Sequence, residues 1–231
     1  MSVDVLTAVL LVVVPIAFNL AFFELGRVFD YPAILREPPD TILRRFHAGG
    51  PGLLLRWHAL MLSALAMLPL VGLLAVVLGA AQGLSVVAVL VGSLAAIVQT
   101  LGLVRWPYAV PELARRYVSA EGPDADAARH EVEVVFGLIH RLLGVGIGEH
   151  LGYLATGAWT LLVGASIVTT TAIPAWLGWL GVPIGLALLV GSLEFAGPNE
   201  RDGWHLAGTI VPIAYIAWSI WLVALGIALF L

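Results

Sequence analysis

Long apolar runs separated by polar stretches set the rhythm of this chain. The first run, Val5 to about Val28, is long enough to cross ~30 Å of hydrocarbon at about 1.5 Å per residue. A secretory leader would open on basic residues, whereas the early charge here is Asp4, so the run reads as a retained helix. The pattern predicts an all-α, polytopic membrane helical bundle. It is a single domain over residues 1–231, with six transmembrane helices at about 5–28, 53–78, 84–106, 137–169, 173–193 and 205–231.

The polar stretches carry their own signals. In FDYPAILREPPDTILRRFHAGGP, Pro38-Pro39 followed by Asp40 and Thr41 marks a helix start and Gly49-Gly50-Pro51 a stop. This predicts a short interfacial helix bearing Arg44 and Arg45. Pro69 is expected to kink the second membrane helix. A tight turn over Gly79 to Gly83 returns the chain through the third helix, which should end at Trp106. The stretch PYAVPELARRYVSAEGPDADAARHEVEV then leads into a central helix expected to run unbroken from near Asp126 to about Thr169. ILRRFHAGGP and LARRYVSAEGP share an Arg-Arg-aromatic core and a Gly-Pro end, a faint echo of either a repeated unit or two independent helix ends.

Composition narrows the class. The chain is 61% hydrophobic and 11% charged, against roughly 45–50% and about 25% in soluble domains, which excludes a water-soluble fold. The net charge of −4 is small and spread out, and points to no nucleic-acid partner. With no cysteine, disulfides, thiolate metal sites and cysteine nucleophiles are excluded. All 11 basic residues are arginine, so no lysine Schiff base can form.

The arginines orient the chain. Five flank the loop between helices one and two (Arg27, Arg36, Arg44, Arg45, Arg56), five that between three and four (Arg105, Arg115, Arg116, Arg129, Arg141), and Arg201 lies between five and six. The positive-inside rule then predicts cytoplasmic loops on that side, both termini outside, and a multi-pass protein of the plasma membrane, the inner membrane of a bacterial cell. Trp106, Trp176, Trp179 and Trp204, near helix ends, read as interfacial anchors.

The candidate chemistry centres on HRLLGVGIGEHLGYLATGAWT, residues 140–160. Glu149, Tyr153, Thr156 and Thr160 fall within an arc of about 60° on one helix face. Gly144, Gly148 and Gly152 make a parallel stripe at the spacing that admits a second backbone. On helix six, His205, Gly208, Pro212, Tyr215 and Ser219 share a face that could meet the polar stripe. Ionisable residues in a membrane are costly and are paired or functional. Glu149 is therefore read as the partner of Arg56 or Arg105 in an ion pair that holds helices together, or else as a carboxylate that anchors a ligand or handles a proton. Glu24 and Arg27 read as a local surface pair. The candidate cavity comprises Glu149, His150, Tyr153, Thr156, Arg56, His58, Arg105, His205 and Tyr215. Histidines 58, 140, 150 and 205 raise haem or metal, but no H-E-x-x-H or H-x-x-x-H spacing occurs, and no metal or cofactor is expected.

The phrases GEHLGYLATGAWTLL and YIAWSIWLVALGIAL resemble a bacterial membrane family catalogued as domain of unknown function 4386. The resemblance covers nearly the whole chain and implies a six-helix integral membrane protein without an assigned activity, so no catalytic residue carries over. The first functional expectation is a small membrane protein that binds a small amphipathic ligand or a membrane protein partner at a polar cavity on its cytoplasmic side. The rivals are a membrane-embedded enzyme acting on a lipid or quinone-like substrate, with Glu149 as base and His150, His58 or His205 as acid, and a small proton-coupled transporter.

Overall fold

The computed structural model describes residues 2–79 and 82–230, with the backbone alone at Gln82. Its helices are α1 (Val3–Phe29), α2 (Pro39–Leu65), α3 (Met67–Leu78), α4 (Gln82–Ser119), α5 (Ala125–Ile139), a π-helical segment (His140–Leu151), α6 (Gly152–Val168), α7 (Ala175–Gly191) and α8 (His205–Ala228). Joined end to end where the chain only kinks, these form six rods, and there is no strand among the described residues. Five rods are long and apolar enough to cross a membrane; α7, with 17 residues, is shorter.

Local chemistry explains the breaks. Ser2 caps α1 by accepting from the Val5 N–H at 3.3 Å, and Gly79 ends α3 in the left-handed region. The turn expected over Gly79 to Gly83 falls in part on Ala80 and Ala81, which lie outside the described residues, as does Leu231 at the end of the sixth expected helix. Gly50, at φ 57° and ψ −156°, bends the chain where the interfacial helix was expected to stop, and a regular helix resumes at Pro51. The second membrane helix is divided at Ala66, three residues before Pro69, because proline has no N–H to return to the carbonyl four residues back.

Two expectations are corrected. The third helix does not end at Trp106: α4 continues through Pro107 and Pro111 to Ser119. Trp106, Val110, Leu113, Ala114 and Tyr117 recur at helical spacing and are all buried, so packing outweighs the two lost backbone hydrogen bonds. Nor is the central helix uniformly α-helical, since residues His140 to Leu151 wind as a π-helix. Gly144, Gly146 and Gly148 give this segment little intrinsic α preference, and wide π turns recur at functional sites.

The core has two parts. Around Phe29, Trp57 and Trp106, the ends of α1, α2 and α4 pack with α5. Around Trp159, Leu188, Trp221 and Leu222, α6, α7 and α8 pack with α3. Glycines bring α6 and α7 close: a methyl group on Gly157 would stand 2.7 Å from the Gly185 oxygen, and one on Gly164 would stand 2.7 Å from the Gly178 oxygen. Trp106 is fully buried, not an interfacial anchor, whereas Trp176 and Trp179 are exposed.

Candidate functional site

The glycine stripe of the central rod packs on α4. A methyl group on Gly144 would meet the Arg105 guanidinium at 2.7 Å, one on Gly148 the Gly102 Cα at 3.0 Å, and one on Gly152 the Gln99 side chain at 3.0 Å. Absence of side chains on one rod thus lets two long polar side chains of the other reach inward.

Gln99 uses that access. Its amide donates to Thr156 Oγ1 at 2.7 Å and to the Tyr215 hydroxyl at 3.1 Å, tying α4, α6 and α8 together. Thr156 in turn donates to the Gly152 carbonyl, and the Tyr153 and Tyr215 rings meet edge to face at 5.3 Å. Deeper along the same face, Trp218 Nε1 donates to Thr160 Oγ1 at 2.9 Å. The stripe residues Tyr153, Thr156 and Thr160 therefore meet α8 through Tyr215 and Trp218.

Glu149 occupies the other end of the stripe. With Val145, His150, Tyr153, Gly191, Ser192, Glu194 and Phe195 it lines a closed, narrow crevice without room for a water molecule. His150 is fixed there by a 2.6 Å hydrogen bond between Nδ1 and the Ser192 carbonyl. The connection from α1 to α2 lies over this end of the bundle: Arg36 donates to Glu194 at 2.9 Å and its guanidinium sits 5.5 Å from the Phe195 ring. Arg141 approaches Phe195 at 5.9 Å and bonds to Glu200. Tyr31, from the same connection, feels both Glu149 and Arg105. Burial pushes its hydroxyl up to about 12, the Glu149 carboxylate adds to the rise and Arg105 opposes it.

The expected ion pair of Glu149 is absent among the described residues. Arg56 instead bonds to the Gly52 carbonyl and lies 3.5 Å from Glu24, which also pairs with Arg27 at 2.8 Å. Arg105 is buried, packs on Trp106 and donates to the Gly102 carbonyl. Glu149 lies within the electrostatic reach of Arg105, Arg36, Arg141 and Glu194 without an ion pair to any of them. The reason is register: the long arginine side chains are drawn to nearer partners on their own or adjoining helices.

Of the nine candidate cavity residues, Tyr153, Thr156 and Tyr215 gather at the α6–α8 face, and Glu149 and His150 line the adjoining crevice at the end of α7, with Arg105 within electrostatic reach of Glu149. Arg56 does not join them. His58 bonds to the Leu54 carbonyl and faces Tyr108, and His205 is exposed at the start of α8. Gln99, Tyr31, Glu194 and Ser192 belong to the site and were not singled out for it by sequence. Gln99 had a legible signal, a polar residue inside an apolar run; the other three lie in or beside connections. Among the described residues no three His, Asp or Glu side chains gather as metal ligands.

A family model described as "Domain of unknown function (DUF4386)" matches residues 6–226. No curated protein and no solved structure matches the chain.

Proposed function

This chain belongs to the family described as Domain of unknown function (DUF4386), and from that premise we propose that it is a six-span protein of the bacterial plasma membrane that binds the head of a small amphipathic molecule in the Glu149 crevice. The proposal takes the arginine-rich loops as cytoplasmic, both termini as outside and the crevice as opening toward the cytoplasm. It takes α7 as the sixth crossing, thinned to 17 residues and extended by its flanking turns.

One observation carries the reading. Glu149 is an ionisable residue within a membrane-length rod, and it has neither a hydrogen bond nor an ion pair among the described residues. A carboxylate in that position is costly to retain without a partner, and the crevice it lines has a second carboxylate, Glu194, already held by Arg36. A head group that donates hydrogen bonds or carries positive charge complements that pair, and the closed crevice would have to widen to admit it. The apolar tail would lie along the lipid-facing surface. The enzyme reading, with Glu149 as base and His150 as acid, has less support, because the Ser192 carbonyl accepts the Nδ1–H of His150 and so leaves Nε2 of the neutral ring as an acceptor and not an acid.

The test is Glu149→Gln in detergent-purified protein, with mass spectrometry of co-purified small molecules and thermal unfolding as the two readouts. Stability should stay within about 1 kcal/mol, because no ion pair is broken, while the co-purified amphipath disappears. A variant that retains the same molecules as wild type overturns the proposal. A chemically altered product released by wild type alone would favour the enzyme.

A further inference from the structure

Five buried side-chain nitrogens find no hydrogen-bond partner among the described residues, and four of them belong to one cluster: Trp57 Nε1, Trp106 Nε1, Arg105 Nε and His140 Nδ1. The fifth, Arg129 Nε, is elsewhere. Trp57 and Trp106 stack with centroids 4.3 Å apart and planes 7° from parallel. The Arg105 guanidinium carbon lies 5.3 Å from the Trp106 ring, and the His140 ring meets the same indole edge to face at 6.5 Å. Both tryptophans are fully buried and Arg105 is 5% exposed.

We propose that Trp57, Arg105, Trp106 and His140 form a largely buried site for a small monovalent anion of the halide class. The chemistry of the donors selects the occupant. Indole and guanidinium nitrogens donate and never accept, and His140 Nδ1 accepts in one tautomer alone. A water molecule must place two protons of its own, and this cluster offers it an acceptor only in that tautomer. An anion accepts from every direction and has nothing to donate. Charge points the same way, since Arg105 forms no ion pair among the described residues while it is removed from solvent, a state that an internal counter-ion relieves. The orphaned donors would each cost free energy if left empty-handed in the core. Packing limits the size: Phe29, Tyr31 and Phe46 stand against the two indoles, so the occupant would be a single ion and not a lipid head or a ring.

This site does not rest on the crevice reading. Glu149 lies within electrostatic reach of Arg105, so Glu149→Gln should strengthen anion binding by removing a nearby negative charge, whatever it does to a bound amphipath.

The experiment titrates the purified full-length protein with sodium bromide against sodium gluconate at constant ionic strength, following tryptophan fluorescence and thermal unfolding. Wild type should give a saturable bromide-specific quench with a parallel rise in unfolding temperature. Trp57→Phe and Trp106→Phe keep an aromatic ring and remove one donor each, so each should raise the half-saturating bromide concentration about tenfold. If Trp106→Phe does not fold, Trp57→Phe and the Glu149→Gln comparison decide the matter. Linear, non-saturating quenching with no bromide-specific stabilisation in wild type would mean that water alone serves these nitrogens, and would overturn the proposal. A saturable response unchanged in Trp57→Phe would overturn it too, by placing the ion elsewhere.

Discussion

Gly102 of α4 and Gly148 of the π-helical segment lie back to back, so closely that a methyl group on Gly102 would stand 2.5 Å from the Gly148 Cα. This contact sets the separation of the two rods that hold Gln99, Arg105 and Glu149. It is backbone against backbone, so no side chain can move aside to relieve it.

Substitution at that contact should therefore be costly. Gly102→Ala and Gly148→Leu are each expected to destabilise the protein by about 1–3 kcal/mol, the range for overpacking. Gly72→Ala is the control, since a methyl group there meets nothing within 4 Å, and helix propensity favours alanine by about 1 kcal/mol. Thermal unfolding in one detergent compares the three. Equal stability of Gly148→Leu and wild type would refute the close contact.

Gln99 links three helices through two hydrogen bonds. Replacing it by Leu removes the donor to both Thr156 and Tyr215, and about 1–3 kcal/mol should be lost. Tyr215→Phe removes one acceptor and should cost less. A double-mutant cycle of the two changes is expected to give a coupling energy clearly above the ~0.3–0.5 kcal/mol scatter of independent sites. Additive losses would mean that the Gln99–Tyr215 bond contributes nothing.

The Tyr31 hydroxyl makes a pH prediction. Its folded value, about 12, lies above the ordinary 10, so the folded state favours the protonated phenol. The stability this contributes is fully present below pH 10 and is lost as pH rises from 10 toward 12. The unfolding temperature of wild type should fall more steeply over that window than that of Tyr31→Phe. Parallel curves for the two proteins would show that Tyr31 is not buried near Glu149.

Orientation is checked by single cysteines, which meet no background thiol in this chain. Introduced at the exposed positions Ala48, Ser119 and Asp202, they should react with membrane-permeant reagents alone in intact cells. At Gly83 and Thr171, also exposed, they should react with impermeant reagents as well. Labelling of Ser119→Cys by an impermeant reagent would invalidate the six-span arrangement with cytoplasmic arginine loops.

The sequence by itself determined the all-α class and the six rods, because the length of an apolar run is set by hydrocarbon thickness and needs no knowledge of neighbours. It also marked the Glu149 to Thr160 stripe and the glycine stripe, since both follow from the angle between successive residues on one helix. Tertiary structure decided which side chains meet. Arg56 and His58 share the polar end of the bundle with Glu149 in sequence terms, yet they turn to Glu24, Leu54 and Tyr108, because contact between helices depends on crossing and rotation that no single run encodes. Gln99 reaches Tyr215 only because Gly152 leaves it room, and Trp106 passes from a presumed interfacial position to the centre of the core because α4 continues beyond Pro107 under the pull of its buried face. The π winding of His140 to Leu151 belongs to the same class: the residues permit it, and packing against α4 selects it.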